Sequence, residues 1–166
     1  MSWKAWCCGT ALLLASLPVL ARGPHVDLID FPSNEASWDR FFDLEGALMK
    51  GFDHLCADTW CEGDYSNYQV LQVRCAVLVP RGTVQRCSWV VVASELGIDP
   101  RTGQVRVDNG RWVCHAGVRP GVPVDAFFTA LQAPDGLFEP LPGTGTSLFD
   151  ALPGCLRGPG QQGRAA

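Results

Sequence analysis

A short turn between two valine-rich segments is the feature that most constrains the fold. Residues 68–79 and 84–93 are rich in valine, which favours β-strands, and Pro80-Arg81-Gly82 separates them. Proline suits the first position of a type I turn, and glycine suits the left-handed position that ends a three-residue hairpin loop. The sequence therefore predicts an antiparallel hairpin whose loop is residues 80–82.

This loop also fixes which residues face each other across the hairpin. If Val79 faces Thr83, then Cys75 lies directly opposite Cys87. Directly opposed residues of a non-hydrogen-bonded pair have Cα atoms about 4.5 Å apart, which is close enough for a disulfide, so we predict a Cys75–Cys87 bridge. A two-residue loop would instead direct the two sulfurs to opposite faces of the sheet.

The other cysteines extend this interpretation to a disulfide framework. Six cysteines follow residue 21, an even number whose spacings fit no zinc module. With the first bridge made, we expect two further pairs, Cys56–Cys61 and Cys114–Cys155. A disulfide-stabilised chain of this size is typical of an oxidising compartment.

The N-terminal residues predict export. Lys4 precedes an uncharged apolar run over residues 5–20, and Ala21 supplies a small residue after it. This is the pattern of a secretory signal peptide, and its apolar run is shorter than the ~20 residues of a membrane-spanning helix. We therefore predict a cleaved signal peptide over 1–21, a single domain over 22–157 and a flexible tail over 158–166. The expected location is periplasmic or secreted, with no stable membrane span after cleavage.

The charge balance narrows the class of partner. The chain has 13 Lys and Arg against 17 Asp and Glu, a net charge of −4, and loss of Lys4 with the signal peptide makes it −5. An acidic chain without a basic cluster lacks the electrostatic footprint of a nucleic-acid-binding protein. Its surface is able to attract a basic partner protein instead.

An amphipathic helix is predicted after an extended lead-in over residues 22–32. Ser33 or Asn34 can cap its start, with Glu35 favourable in the first turn. Apolar residues then recur at spacings of three, four and seven, which is a helical period. They are Trp38, Phe41, Phe42, Leu48, Met49, Phe52 and Leu55. A stripe of this kind indicates the core-facing side of a helix.

Two more strands are predicted after the first hairpin. Residues 99–103 form a turn cluster, and Asn109-Gly110 is a strong two-residue hairpin signal between apolar residues 105–107 and 112–114. The predicted fold class is therefore α+β, with the N-terminal helix packed on a four-stranded antiparallel meander.

Short helices are predicted to complete the domain. Residues 124–131 form one, and Thr146 or Ser147 can cap a last helical turn that Pro153-Gly154 ends.

The segment from Cys56 to Asn67 holds the densest set of chemically capable side chains. Its carboxylates do not fit a calcium loop of the helix–loop–helix type, because Trp60 occupies a position that needs an oxygen ligand, and an irregular calcium loop is left as a minor alternative. Tryptophan and tyrosine beside charged residues are common at interface hot spots, although they are also ordinary residues at a helix–sheet junction. The candidate binding residues are Asp58, Trp60, Glu62, Asp64, Tyr65 and Asn67.

A hydrolase is the alternative from a different class. Carboxylates of residues 58–64 could act with His54 or His115, but the sequence has no Gly-x-Ser-x-Gly elbow and all six cysteines can pair. A structural envelope protein is a third interpretation. The leading expectation is an exported, non-catalytic protein-binding domain, of the inhibitor or immunity type, that blocks an envelope enzyme and needs no cofactor or metal.

Overall fold

The computed structural model describes residues 23–56, 61, 65 and 67–158. The described part contains three helices and one antiparallel sheet of four strands in the order β1-β2-β3-β4. The elements in chain order are β1 (His25–Asp27), α1 (Glu35–Leu55), β2 (Gln69–Leu78), β3 (Thr83–Ile98), β4 (Val105–Pro123), α2 (Val124–Leu131) and α3 (Ala151–Leu156). The chain is therefore an α+β protein.

The loop of the β2–β3 hairpin is longer than predicted. Leu78 pairs with Thr83, so the loop has four residues and the predicted three-residue loop is wrong. Val79–Arg81 forms a 3-10 turn, and Gly82 follows in the left-handed conformation with φ 58°. Glycine adopts this conformation without the steric cost that a Cβ atom brings.

A bulge restores the register that the longer loop would change. Gln85 lies between two register-matched stretches of β3 and has no partner on β2. Its side-chain amide donates to Thr83 Oγ1 at 2.6 Å and lies against Gly121, where a Cβ atom would overlap it. The extra loop residue and the bulge therefore cancel, and Cys75 faces Cys87 as predicted.

Three cysteine pairs lie at disulfide distance. Their Cα atoms are 4.0 Å apart for Cys75–Cys87, 4.8 Å for Cys56–Cys61 and 5.6 Å for Cys114–Cys155. These are the three pairs that the sequence predicts. The third pair connects β4 to α3, since Cys155 lies within that helix.

The predicted hairpin at Asn109-Gly110 is wrong, because both residues lie inside the uninterrupted strand β4. Asn109 pairs with Ser94 and Gly110 with Ala93. The Trp112 indole lies over Gly110, where a Cβ atom would overlap the ring. Glycine is used here for close approach of a side chain and not for a turn.

The fourth strand of the sheet comes from the lead-in. β1 pairs antiparallel with the end of β2, from His25 opposite Leu78 to Asp27 opposite Ala76. The number of strands thus agrees with the prediction while one of the members differs. Asp99 to Gly103, predicted as a turn, connects β3 to β4.

Helix α1 begins where the sequence predicts. Asn34 caps it, with its Oδ1 accepting the Ser37 amide at 3.0 Å. The predicted apolar stripe is broader than the buried face, because Trp38 and Phe42 are exposed. The residues that α1 buries are Phe41, Leu44, Leu48 and Phe52, and they share one hydrophobic cluster with residues of β2, β3 and β4.

The C-terminal part of the chain closes the core. α2 has the predicted bounds and buries Phe127, Phe128 and Leu131. Ser147 and Asp150 exchange side-chain-to-backbone hydrogen bonds of 2.7 and 3.2 Å before α3. The predicted helix end at Pro153-Gly154 is wrong, since α3 continues through both residues. Proline is accepted there because it lies in the first turn, where its missing N–H has no helical acceptor.

The predicted signal peptide and residues 159–166 of the predicted tail lie outside the described residues. In the part of the chain that the structure describes, no helix is long and apolar enough to cross a membrane.

Candidate functional site

Four of the predicted binding residues cannot be placed. Asp58, Trp60, Glu62 and Asp64 lie outside the described residues, so the structure does not show where the densest carboxylate segment lies. The described members of that set are Tyr65 and Asn67, and each has a structural contact.

Tyr65 belongs to an aromatic cluster at the border of the core. Its ring meets the Trp112 ring edge-on, with centroids 5.5 Å apart, and lies 6.1 Å from the Tyr68 ring. Trp112 is buried, and its Nε1 donates to the Gly158 carbonyl at 3.0 Å. Tyr65 is half-buried, so it contributes to packing between the middle of β4 and the start of β2.

The side chain of Asn67, which precedes β2, hydrogen-bonds to Ser94 of β3. Its Oδ1 accepts the Ser94 amide at 2.6 Å and its Nδ2 donates to Ser94 Oγ at 2.8 Å. β2 pairs with β3 only from Gln69 onward, so Asn67 takes the place of one further strand residue. A shallow cleft of about 350 Å³ opens beside it, lined also by Asn109 and Arg111.

Beyond Ser94, the described residues place only β3 and β4 in the sheet, and these two strands form a ribbon, which we define as residues 95–98 and 105–108. Leu96 pairs with Val107 and Ile98 with Val105. Alternate residues of a strand point to opposite faces, so these four side chains share one face. Each is between 59% and 65% exposed.

This apolar face is the strongest binding feature among the described residues. Four aliphatic side chains at this exposure present on the order of 400 Å², the size of the largest apolar patch on a typical monomer, which is often functional. The opposite face of the ribbon carries Glu95, Arg106 and Asp108. The ribbon is therefore amphipathic, and its apolar side is not part of the hydrophobic core that the described residues form.

Sequence reasoning missed this face although the signal was present. Leu96 and Ile98 alternate with other residues before the turn cluster, and Val105 and Val107 alternate after it. Predicting a turn at Asn109-Gly110 divided β4 in two, so the pairing of residues 95–98 with residues 105–108 was not predicted. Once residues 99–104 are taken as the turn and β4 as continuous, the alternation places these four side chains on one face.

The tip of the ribbon is held in one conformation by Asp99. Its Oδ1 accepts the amides of Arg101 and Thr102 at 2.9 and 3.1 Å, and its Oδ2 lies 3.1 Å from the Arg106 guanidinium. The Arg101 amide hydrogen bond is the main cause that lowers the pKa of this carboxyl below its usual value. Gly103 completes the turn at φ 69°.

We expect acid to loosen this tip. A group whose pKa is lower in the folded state contributes stability above its unfolded pKa and loses it as the pH falls through the folded value. The unfolding temperature of the wild type should therefore fall further between pH 5 and pH 2 than that of Asp99→Asn. The asparagine side chain accepts the same amides but does not titrate. Asp108→Asn is the matched control, because no backbone amide donates to its carboxylate among the described residues. Equal pH dependence in wild type and Asp99→Asn would contradict this account.

The apolar face of the ribbon continues into a face of the sheet that carries arginines. Arg86 and Arg111 are exposed and form no ion pair with any described residue. Arg74 is different, since Glu45 lies 3.0 Å and Asp27 3.5 Å from it. This sheet face is therefore locally positive in an acidic chain. We call it the open face.

A serine and a histidine meet on the open face. Ser88 and His115 are directly opposed on β3 and β4, and Ser88 Oγ lies 2.8 Å from His115 Nδ1. Nucleophilic catalysis needs a third group to orient the histidine and donors for an oxyanion. No described carboxylate hydrogen-bonds His115, so the pair is an incomplete catalytic set.

The described residues also contain no group of three or more His, Cys, Asp or Glu side chains that could hold a metal ion. Comparison of the chain with protein-family models, with curated proteins and with solved structures finds no match.

Proposed function

We propose that the chain is an exported, non-catalytic protein-binding domain that blocks another protein, in the manner of inhibitors or immunity proteins of envelope enzymes. The observation that carries this proposal is the apolar face of the ribbon, formed by Leu96, Ile98, Val105 and Val107. Burial of such a face against water is the main favourable term in most protein association.

The ribbon has the properties of an inserting element. Its two strands pair residue for residue from Glu95–Asp108 to Ile98–Val105 without a bulge. The Asp99 turn fixes the tip, so little conformational freedom remains to be lost on binding. A protruding element with a rigid tip and one apolar face fits a concave apolar site on a partner, such as an enzyme cleft.

The rest of the chain supplies a support for this element. In the proposal, the signal peptide over 1–21 is removed and residues 22–157 form one domain with α1 laid across one face of the sheet. The hydrogen bonds between Asn67 and Ser94 lie at the base of the ribbon. We therefore propose that residues 58–67, which include Trp60 and Tyr65, form a second contact with the partner protein.

Without Lys4 the net charge is −5, which favours a basic partner at long range. The proposal includes no cofactor, no nucleic acid and no membrane span.

The test uses one leucine on the ribbon and one outside it. Leu96→Asp places a charge on the apolar face, whereas Leu71→Asp changes a leucine of similar exposure on β2, where 58% of the residue is accessible. The protein that the wild-type chain captures from its native envelope fraction is identified and purified, and its affinity is measured for each variant. We expect Leu96→Asp to weaken binding at least 30-fold, equivalent to ~2 kcal/mol, as at a hot spot.

Leu71→Asp should change the affinity by less than about threefold, because isolated surface apolar residues contribute little. Both variants should unfold at nearly the wild-type temperature, since neither residue is in the core. Equal affinity losses in the two variants would refute the assignment of the interface to the ribbon.

The carboxylates of the predicted hydrolase, Asp58, Glu62 and Asp64, lie outside the described residues. A hydrolase is kept as the second candidate because Ser88 Oγ lies 2.8 Å from His115 Nδ1. It requires that the purified chain hydrolyse an ester and that His115→Ala remove the activity. Activity that survives His115→Ala would exclude this pair as its source.

A further inference from the structure

Among the described residues the sheet ends at β4, and none of them pairs with the outer edge of this strand. β4 pairs with β3 on one side only, because the sheet order is β1-β2-β3-β4. In an antiparallel strand, the N–H and C=O groups of alternate residues point to opposite edges. Half of the β4 backbone groups therefore point away from the sheet.

Two side-chain contacts show which half this is. Val73 donates its N–H to Glu45 at 2.8 Å, away from β3, and Ser94 donates its N–H to Asn67, on the β2 side. Even-numbered residues of β3 therefore bond toward β2 and odd-numbered ones toward β4. Through the pairing of Trp89 with Cys114, the even-numbered residues of β4 bond to β3. The outward groups belong to the odd-numbered residues from 105 to 117.

This edge lacks the protection that the other edge of the sheet has. β1 and Glu45 satisfy outward groups of β2. No described backbone or side-chain group outside the sheet hydrogen-bonds the backbone of residues 105–117. The pairing of this stretch contains no bulge, and the first proline comes at Pro120. Native proteins normally block a long, flat edge of this kind, since it is a template for another strand.

The same odd-numbered residues place their side chains on the open face. From the ribbon inward, they are Val105, Val107, Asn109, Arg111, Val113 and His115. An extended segment along this edge would lie beside aliphatic side chains at the ribbon end and beside a cationic side chain further into the sheet. Arg111 has no described ion partner, so a carboxylate is its complement.

We propose that the outer edge of β4 is a strand-addition site. The partner supplies an extended segment that pairs antiparallel with residues 105–113, with aliphatic side chains beside Val105 and Val107 and a carboxylate beside Arg111. Main-chain hydrogen bonds give such a complex its affinity, and alternate side chains give it specificity. This inference rests on the proposed protein-binding function and names the mode of recognition.

A second copy of this chain fits the edge less well. After loss of Lys4 each copy has a net charge of −5, so two copies repel each other at long range. Paired edge to edge, a second β4 would also offer no carboxylate to Arg111, because the odd-numbered residues 105–117 include none. A different protein with a complementary segment avoids both costs.

The probe is a blocked nine-residue peptide, Thr-Asp-Thr-Asn-Thr-Val-Thr-Val-Thr. Paired antiparallel with β4, it places its aspartate opposite Arg111 and its valines opposite Val107 and Val105. We expect millimolar peptide to slow amide hydrogen exchange at Val107, Asn109 and Arg111. The even-numbered amides of β4, which already bond to β3, should keep their rates.

Backbone methylation supplies the matched control. Methylating the nitrogens of the asparagine and the first valine removes donors that face β4, and should weaken binding at least tenfold. Methylating the nitrogens of the two threonines on either side of the asparagine removes donors on the far edge and should leave affinity within about threefold. Arg111→Ala should remove the preference for this peptide over one with asparagine in place of aspartate, whereas Arg101→Ala at the ribbon tip should not.

Several results would overturn the proposal. They are no protection of the odd-numbered amides, equal losses from methylation on the two edges, or sedimentation showing a dimer of the free chain that already protects these amides. If Leu96→Asp abolishes partner binding while the peptide leaves β4 unchanged, the strand-addition mode fails and the ribbon remains the interface. If the peptide binds as described but Leu96→Asp has no effect on partner binding, the assignment to the ribbon face fails instead.

Discussion

Replacing Cys114 and Cys155 by alanine is expected to lower the free energy of unfolding by about 4 kcal/mol. This disulfide closes the longest of the three loops, with a sequence separation of 41, and a cross-link restricts the unfolded chain more as its loop grows. Cys114 is also in the core, so its removal takes packing contacts from the sheet. Chemical denaturation of the double variant measures the loss.

Smaller losses of stability are expected when either of the other two disulfides is removed. The same loop argument gives about 3 kcal/mol for Cys75–Cys87 and about 2 kcal/mol for Cys56–Cys61, whose separations are 12 and 5. We expect the three double-alanine variants to lose stability in this order. A Cys56–Cys61 variant that is destabilised more than the Cys114–Cys155 variant would contradict the loop-length explanation.

Trp89→Ala is expected to destabilise the protein by about 3–5 kcal/mol. Trp89 is fully buried at the centre of β3, between Val73 on β2 and Cys114 on β4. Alanine would leave a cavity that the flanking strands, cross-linked nearby, cannot fill by collapsing. Urea denaturation with an unchanged dependence on denaturant would show that the loss is one of stability and not of compactness.

Trp89→Phe tests the polar part of the same side chain. The indole Nε1 has no hydrogen-bond partner among the described residues, and an unsatisfied buried donor costs about 1–3 kcal/mol. Phenylalanine removes this donor along with part of the ring, so the two effects oppose each other. We expect a loss well below that of Trp89→Ala. A phenylalanine variant as unstable as the alanine variant would show that volume alone decides.

Local chemistry was sufficient to predict several elements of the fold. Asn34 caps α1 because a short polar side chain before an apolar period can accept a helix-end amide. Residues 124–131 form α2 with its predicted buried residues, since Pro123 sets its start and the helical period is clear. The disulfide pairs were also predictable once one pair was placed by register.

The wrong predictions concern residues whose role depends on how the rest of the fold packs around them. Gly110 follows asparagine as a turn glycine would, but the Trp112 ring, two residues along the strand, requires the absence of a side chain there. β1 has only three residues and is defined by its partner β2, so no periodicity could reveal it. Trp38 and Phe42 match the helical period, although the core does not extend to them.

The candidate site was harder to predict than the fold. Side-chain density drew attention to residues 56–67, whereas the exposed face of the ribbon consists of ordinary aliphatic residues. Leucine, isoleucine and valine in a strand indicate burial by default, but none of the described residues packs over this face of residues 95–98 and 105–108 as part of the core. Tertiary context, which sequence alone does not give, decides between core and interface.

The compensating irregularities of the β2–β3 hairpin separate its length from its register. If Gln85 alone were lost, the pairs on either side of it would become consecutive in a ladder without a bulge. If one loop residue alone were lost, the same pairs would be closed by a three-residue loop, which is also a common hairpin connection. In both cases Cys75 stays opposite Cys87. Related chains can therefore change length at either site and keep this disulfide.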